Sequence, residues 1–472
     1  MADSLAKVPS YPRPAEIPAP PNLPKYLYPG LPVELASVYP PPEHVLEPKP
    51  ELPSGQRSPI WHEDKSIPYA LTTHIVPAAY LREDPDDVLP ESPSADGKIS
   101  KDERKILVEK TEARLREMRR KYEDEERRRQ EKALWVCLNR YVRTETSKKG
   151  GYTLFFAHAN GFHKEAFEPL IWSLLSSPES QSLVQEIWVW EAYSHGDSAL
   201  LNKGRLNSFS HTRSPVRDLL NFLIYFLPSS PNLQPLPVHL PRVRQAEVER
   251  RLRNGFLGPG SPRLPICCFG HSFGGAVSTL AAITHPALFT SLFLIDPVIL
   301  YPTVDFYFKP SLLSLGAISR RASWKSREEA RKGFLESPFF RTWDPRVLDL
   351  YVEAGLYLDK DTDTIRLKTS PIQEALLFND AQIGGPEAWV RLWKKELDAR
   401  IKLRWAMPGP GKPELDSRDN TSQQRVWLRP ENASNIRIDG AGHLIVQEKP
   451  DALGKQIGVF LKELSSETRA RL

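Results

Sequence analysis

The stretch that most constrains this chain is LPICCFGHSFGGAVSTLAAITHP, residues 264–286. One apolar run ends in Gly270-His271-Ser272-Phe273-Gly274, and a second begins after Gly275. The spacing predicts a buried strand, an abrupt turn and a helix. Gly270 and Gly274 let the two elements approach closely while Ser272 takes a strained backbone at the tip. A hydroxyl displayed there, over the positive end of a helix, is placed to act as a nucleophile once a base is supplied.

The pattern around it repeats. Strand-like runs at 67–82, 134–142, 151–157, 186–190, 264–269, 291–300, 400–407 and 434–443 alternate with amphipathic runs at 165–177, 214–227, 276–283 and 451–464. Strands alternating with helices imply an α/β fold, with a mostly parallel central sheet covered by helices on both faces. Residues 301–399 break the rhythm with helical pieces and no strong strand pattern, and are expected to form a helical cap over the strand ends. Residues 228–263, rich in Pro, Ser and Arg, are expected to be a surface insertion. Residues 101–132 carry 13 Lys/Arg and 10 Asp/Glu with few apolar positions, and are expected to be a solvated helical insertion.

Proline separates the N-terminal part from the rest. Of 45 prolines, 21 fall within residues 1–100. Proline every two to four residues blocks helices and central strands, so residues 1–66 are expected to be a disordered tail outside a domain spanning 67–469. Hydrophobic content of 40% suffices for a large core. A net charge of +5 does not point to nucleic acid, and none is expected as a partner. Three cysteines fit a reducing compartment, with Cys267 and Cys268 as core thiols. No apolar run is long enough for a transmembrane segment, and the first ten residues lack a secretory signal. No metal-ligand spacing and no phosphate-binding glycine loop is present, so neither metal nor cofactor is expected.

A serine nucleophile needs a base, an acid to orient that base, and donors for an oxyanion. His443, in Asp439-Gly440-Ala441-Gly442-His443, lies on a loop between the last strand and the last helix, and is the candidate base. Asp296, in LIDPV, is the candidate acid: it is the lone charge in the run 291–300, and Pro297 fixes its turn. Its rivals are Glu414, Asp416 and Asp419, in the loop after strand 400–407. The backbone N–H of Phe273 and, by position, that of Asn160 in His158-Ala159-Asn160-Gly161-Phe162 are the candidate oxyanion donors. His158 is expected to organise that loop. His195-Gly196-Asp197-Ser198 reads as a polar turn, and Trp188 and Trp190 as sheet-face packing.

At this point the sequence resembles the α/β-hydrolases, and more narrowly a fungal group of peroxisomal lipases and host-selective-toxin biosynthesis proteins. The matching words are LTTHIVPAAYLR (71–82), HANGFHKEAFEPL (158–170), GHSFGGA (270–276), LFTSLFLIDPVI (288–299), FRTWDPRVLDLYVEAGL (340–356) and AGHLIVQEKPD (441–451). The resemblance implies a serine hydrolase with Ser272 and His443 in the triad, and its Asp-Pro position matches Asp296. The expected activity is cleavage of a carboxylic ester or thioester in an acyl substrate, with lipids among the candidates. The alternative is acyl transfer or C–C cleavage in secondary metabolism. The tripeptide Ala470-Arg471-Leu472 is a variant of the S-K-L address. It predicts peroxisomal location through the import receptor, with the cytoplasm as the alternative.

Overall fold

The computed structural model describes residues 8–21, 35–83, 88–93, 99–124, 129–130, 132–145, 151–206, 212–231, 235–256, 261, 263–303, 309–416, 418 and 420–470. Its frame is one sheet of eight strands: β1 Tyr69–Pro77, β2 Trp135–Arg143, β3 Tyr152–Ala157, β4 Val184–Trp190, β5 Ile266–His271, β6 Phe289–Ile295, β7 Lys402–Pro408 and β8 Ala433–Ile438. The helices used below are α1 Lys101–Asp124, α2 Glu168–Leu175, α3 Phe273–Thr284, α4 Pro371–Trp393 and α5 Pro450–Ala470.

The strand order is β1-β2-β4-β3-β5-β6-β7-β8. The first two strands enter antiparallel, and every pairing from β4–β3 to β7–β8 is parallel. Parallel strands require crossovers, and these lay helices on both faces. The α/β expectation is met, for the reason the alternation gave.

Side chains sort by period two. Trp188 and Trp190 join Phe222, Leu280, Trp389 and Trp405 in one core, while Ile187 and Val189 join Phe156, Leu170, Phe269 and Phe460 in the other. Both tryptophans are therefore sheet-face packing. Every residue of β5 is buried, so the strand that carries Ser272 has no freedom to shift.

Three expectations about the periphery need correction. In its described part, the proline-rich segment 1–66 does not stand apart from the domain. Trp61 is buried against Tyr141, with ring centroids 5.4 Å apart, and Leu46 packs with Ile75 and Trp135. Arg57 pairs with the buried Glu168. Isolated apolar residues between prolines supply this burial, and composition averaged over the segment hides them.

The insertion 228–263 is likewise partly internal. Ile75 N–H donates to Val238 O at 2.7 Å, and Leu240 N–H to Ile75 O at 3.2 Å, so this segment covers the open edge of β1. At the other edge of the sheet, Arg437 N–H donates to Pro9 O at 2.7 Å. Extended proline-bearing chain thus lies along both sheet edges, where its missing N–H groups cost no ladder bond.

Helix α1 carries a Glu112–Arg116 pair at 2.9 Å, but it is not solvated all round. Val108, Leu115 and Met118 are buried against Ala317, Ile318 and Leu376. The segment 309–399 is mainly helical as expected. It also holds a small three-stranded sheet of Ser323–Trp324, Leu356–Asp359 and Thr364–Leu367, because the short alternating runs LYLD and TIRL close on an Asp/Thr turn.

Candidate functional site

The turn from β5 into α3 has the predicted form. Ser272 has φ 53° and ψ −115°, a conformation that L residues adopt rarely. A Cβ on Gly270 would meet Gly274 O at 2.5 Å, and one on Gly274 would meet Ala157 O at 2.2 Å, so neither position admits a side chain. The turn is locked from β6: Ser272 N–H donates to Ile295 O at 2.9 Å, and Val298 N–H to Ser272 O at 2.8 Å. His271 is fully buried, and its Nε2 donates to His443 O at 3.0 Å. Burial, with His443 nearby, lowers its pKa to about 3, so the ring is neutral and ties the two loops together.

Three side chains meet beyond this turn. His443 Nε2 lies 3.1 Å from Ser272 Oγ, and His443 Nδ1 lies 2.7 Å from Asp296 Oδ2. Asp296 is fully buried at the end of β6 with φ 31°, and its N–H donates to Ala406 O at 2.9 Å. Of the described acids weighed from the sequence, Asp296 is the one that reaches His443. Asp416 pairs with Arg418, and Glu414 with Arg437 and Tyr11; Asp419 lies outside the described residues.

A fourth residue had no sequence signal. Arg425, in the short helix Thr421–Val426, is fully buried. Its Nη2 donates to Asp296 Oδ1 at 2.6 Å and its Nη1 to Pro297 O at 2.8 Å. Burial alone would raise the Asp296 carboxyl. The adjacent guanidinium and the hydrogen bond from His443 outweigh it and hold the carboxyl below its ordinary value. Nothing local in TSQQRV announces this role; only the demand that a fully buried arginine find a buried acid could have suggested it.

The loop 158–162 lies across from the turn. Gly274 N–H donates to His158 O at 3.1 Å, which brings the loop against the start of α3. His158 Nδ1 donates to Ala159 O at 2.7 Å, and its Nε2 accepts from Ala192 N–H at 2.9 Å. Burial lowers its pKa to about 4, so it is a neutral organiser of the loop. The Asn160 side chain is fastened on two sides, with Nδ2 donating to Glu374 O at 2.9 Å and Oδ1 2.9 Å from His195 Nε2. The backbone of Asn160 therefore has a fixed position facing the start of α3. Phe273 is the first residue of α3, where backbone N–H groups have no partner inside the helix.

His195 and Asp197, read as a polar turn, are buried supports. Asp197 bridges Lys164 at 2.7 Å and Lys368 at 2.6 Å, and so links the loop to the helical segment above it.

Ser272, Phe273, Asn160 and His443 all line one cavity of about 750 Å³, walled largely by aromatic and aliphatic side chains such as Phe162, Leu300, Phe340, Trp343 and Leu377. His443 is a quarter exposed, while Asp296 is sealed behind it. The arrangement can move a proton from the Ser272 hydroxyl to His443 and balance the resulting imidazolium with Asp296. Among the described residues, no cluster of His, Cys, Asp and Glu could hold a metal ion, and no helix is long and apolar enough to cross a membrane. Ala470 ends α5; Arg471 and Leu472 lie outside the described residues.

The alpha/beta hydrolase family model matches residues 154–455, well over half of the chain. The chain belongs to the alpha/beta hydrolase family. By family it is a hydrolase. Among curated proteins it is similar to the type I acyl-CoA thioesterase mpaH of Penicillium brevicompactum, with 28% identity over 218 residues, covering 44% of this chain and 42% of that one. It is also similar to the abhydrolase domain-containing protein ACTT2-1 of Alternaria alternata, with 34% identity over 110 residues, covering 23% and 39%. The matched region thus spans about two fifths of the length of these relatives. Among solved structures, the peroxisomal alpha-beta-hydrolase Lpx1 of Saccharomyces cerevisiae shares the fold, with a TM-score of 0.57 and 17% identity over 84% of this chain and 90% of that one.

Proposed function

We propose that this hydrolase cleaves a carboxylic thioester or ester of a bulky apolar acyl group through a Ser272–His443–Asp296 triad. The observation that carries the reading is the unbroken chain of contacts from Ser272 Oγ through His443 to Asp296, at 3.1 and 2.7 Å, on the wall of an apolar cavity. Ser272 Oγ attacks the carbonyl carbon while His443 Nε2 takes its proton. Asp296 stays ionised and steadies the imidazolium. The N–H groups of Phe273 and Asn160 receive the negative charge that develops on the carbonyl oxygen. His443 then returns the proton to the leaving thiol or alcohol, and a water repeats the sequence in reverse to free the acid. Segment 309–399 acts as the cap over the acyl group. The acyl-CoA thioesterase relative favours thioesters as the first substrates to try.

Ser272→Ala tests the reading on a panel of acyl-CoA thioesters and p-nitrophenyl esters. The expected loss of turnover is on the order of 10⁴-fold or more, together with loss of labelling by a fluorophosphonate probe. Full activity in that variant would refute it. A wild-type protein that labels at Ser272 yet hydrolyses none of the panel would move the assignment to acyl transfer or C–C cleavage.

We further propose peroxisomal import through Ala470-Arg471-Leu472. A fusion with a fluorescent protein at the N-terminus should enter peroxisomes and leave them when the tripeptide is deleted; an unchanged distribution would reject the signal.

A further inference from the structure

The cavity over Ser272 is mostly carbon-walled, yet two ion pairs line it: Asp416–Arg418 and, against the loop 158–162, Arg320–Glu374. Arg320 follows the helix Leu312–Ser319, and Glu374 sits in the first turn of α4; their charged ends are in contact, and Tyr351 stands beside them. A guanidinium carries five N–H donors. Apart from Glu374, the partners of Arg320 among the described residues are Tyr351 Oη and Thr369 O, each at 3.5 Å, the outer limit of a hydrogen bond. Its Nε has no hydrogen-bond partner among the described residues. The arginine is under-satisfied, and it lines the space where an acyl group must lie.

Its distance along that acyl group is set by Glu374. Asn160 Nδ2 donates to Glu374 O at 2.9 Å, and a Cβ on Gly161 would come within 2.8 Å of Glu374 Oε1. The pair therefore stands beside the loop that receives the carbonyl oxygen, near the first carbons of the acyl chain rather than at its far end.

We propose that the natural acyl group bears a hydroxyl on one of the carbons near its carbonyl. Arg320 donates to that hydroxyl and Glu374 accepts from it. The proposal rests on the hydrolase reading of Ser272 and names the substrate class for that site. The charges of the pair cancel, so a neutral group that both accepts and donates suits it. A carboxylate would set a second negative charge against Glu374. A saturated chain would set the polar atoms of the pair against carbon, the situation in which a binding site discriminates most strongly.

The test uses octanoyl-CoA, its isomers with one hydroxyl on successive carbons from the carbonyl, and the corresponding dicarboxylic half-thioester. At least one hydroxylated isomer should exceed octanoyl-CoA in kcat/KM by roughly 10- to 100-fold, and the dicarboxylic compound should be the poorest. Arg320→Met should bring that ratio close to one, chiefly by raising KM for the hydroxylated substrate. Should that variant not fold, Arg320→Lys, which keeps the charge but not the fork, should give a reduced ratio. Equal use of plain and hydroxylated chains by the wild type, or equal losses on both in the Arg320 variants, would overturn the proposal while leaving the hydrolase reading in place. Absence of turnover on every thioester would overturn both.

Discussion

Replacing Arg425 with methionine removes the guanidinium that touches Asp296 and leaves a carboxylate sealed from solvent with His443 as its side-chain partner among the described residues. Breaking a buried ion pair from one side costs about 3–5 kcal/mol, partly relieved here because the carboxyl can take up a proton. A protonated Asp296 cannot balance an imidazolium. Losing one charge-assisted hydrogen bond from this relay is worth about 1.5–3 kcal/mol, so kcat should fall roughly 10- to 100-fold. The pH dependence has a definite sign. The Asp296 carboxyl is held below its ordinary value, so its contribution to stability is complete above the unfolded value and lost as pH falls through the folded one. Without Arg425 the folded value rises, the loss begins at higher pH, and the acid limb of the rate profile moves up with it. The assay is kcat/KM against pH with p-nitrophenyl acetate, well below the melting temperature of the variant. Arg425→Lys should recover part of the rate, which a purely space-filling role would not require. A methionine variant with wild-type kcat and an unmoved acid limb would refute the reasoning.

Further tests follow from the same contacts. Asp296→Asn should lower kcat by about 10³- to 10⁴-fold by spoiling the orientation of His443, whereas Asp416→Asn, which weakens its pair with Arg418, should change it by less than tenfold; the reverse order would move the acid to the loop after β7. The Tyr11 side chain bonds Glu414 through its hydroxyl and lies 4.4 Å beneath the Arg437 guanidinium. Tyr11→Ala should therefore cost about 1–3 kcal/mol of stability, read from chemical denaturation, and an unchanged midpoint would show that the N-terminal segment does not anchor β8.

Much of the frame was legible because periodicity and burial coincide. The run ICCF is apolar on both faces, as only a central parallel strand can be, and the eight strand-like runs became the eight strands of the sheet. The glycines around Ser272 could be read because close backbone approach leaves no room for a Cβ. The described part of residues 1–66 was misread for the opposite reason. Proline content was averaged over a segment in which Tyr11, Leu46 and Trp61 each find a separate groove. Helix α1 was misread because its apolar face is narrow: Val108, Leu115 and Met118 are three positions among many charges.

By itself the sequence determined the α/β alternation, the strand-turn-helix around Ser272 and a short list of partners, because each of these depends on residues near one another in the chain. Which of the described acids, at 296, 414 and 416, stands beside His443 depended on which strand end faces that histidine. That is a matter of strand order, and β6 lies between β5 and β7 only in the folded sheet. Arg425 and the Arg320–Glu374 pair were hidden for the same reason. Arg425 lies 129 residues from the carboxylate it meets, and a buried charge becomes meaningful only when tertiary packing supplies its partner and excludes water from both.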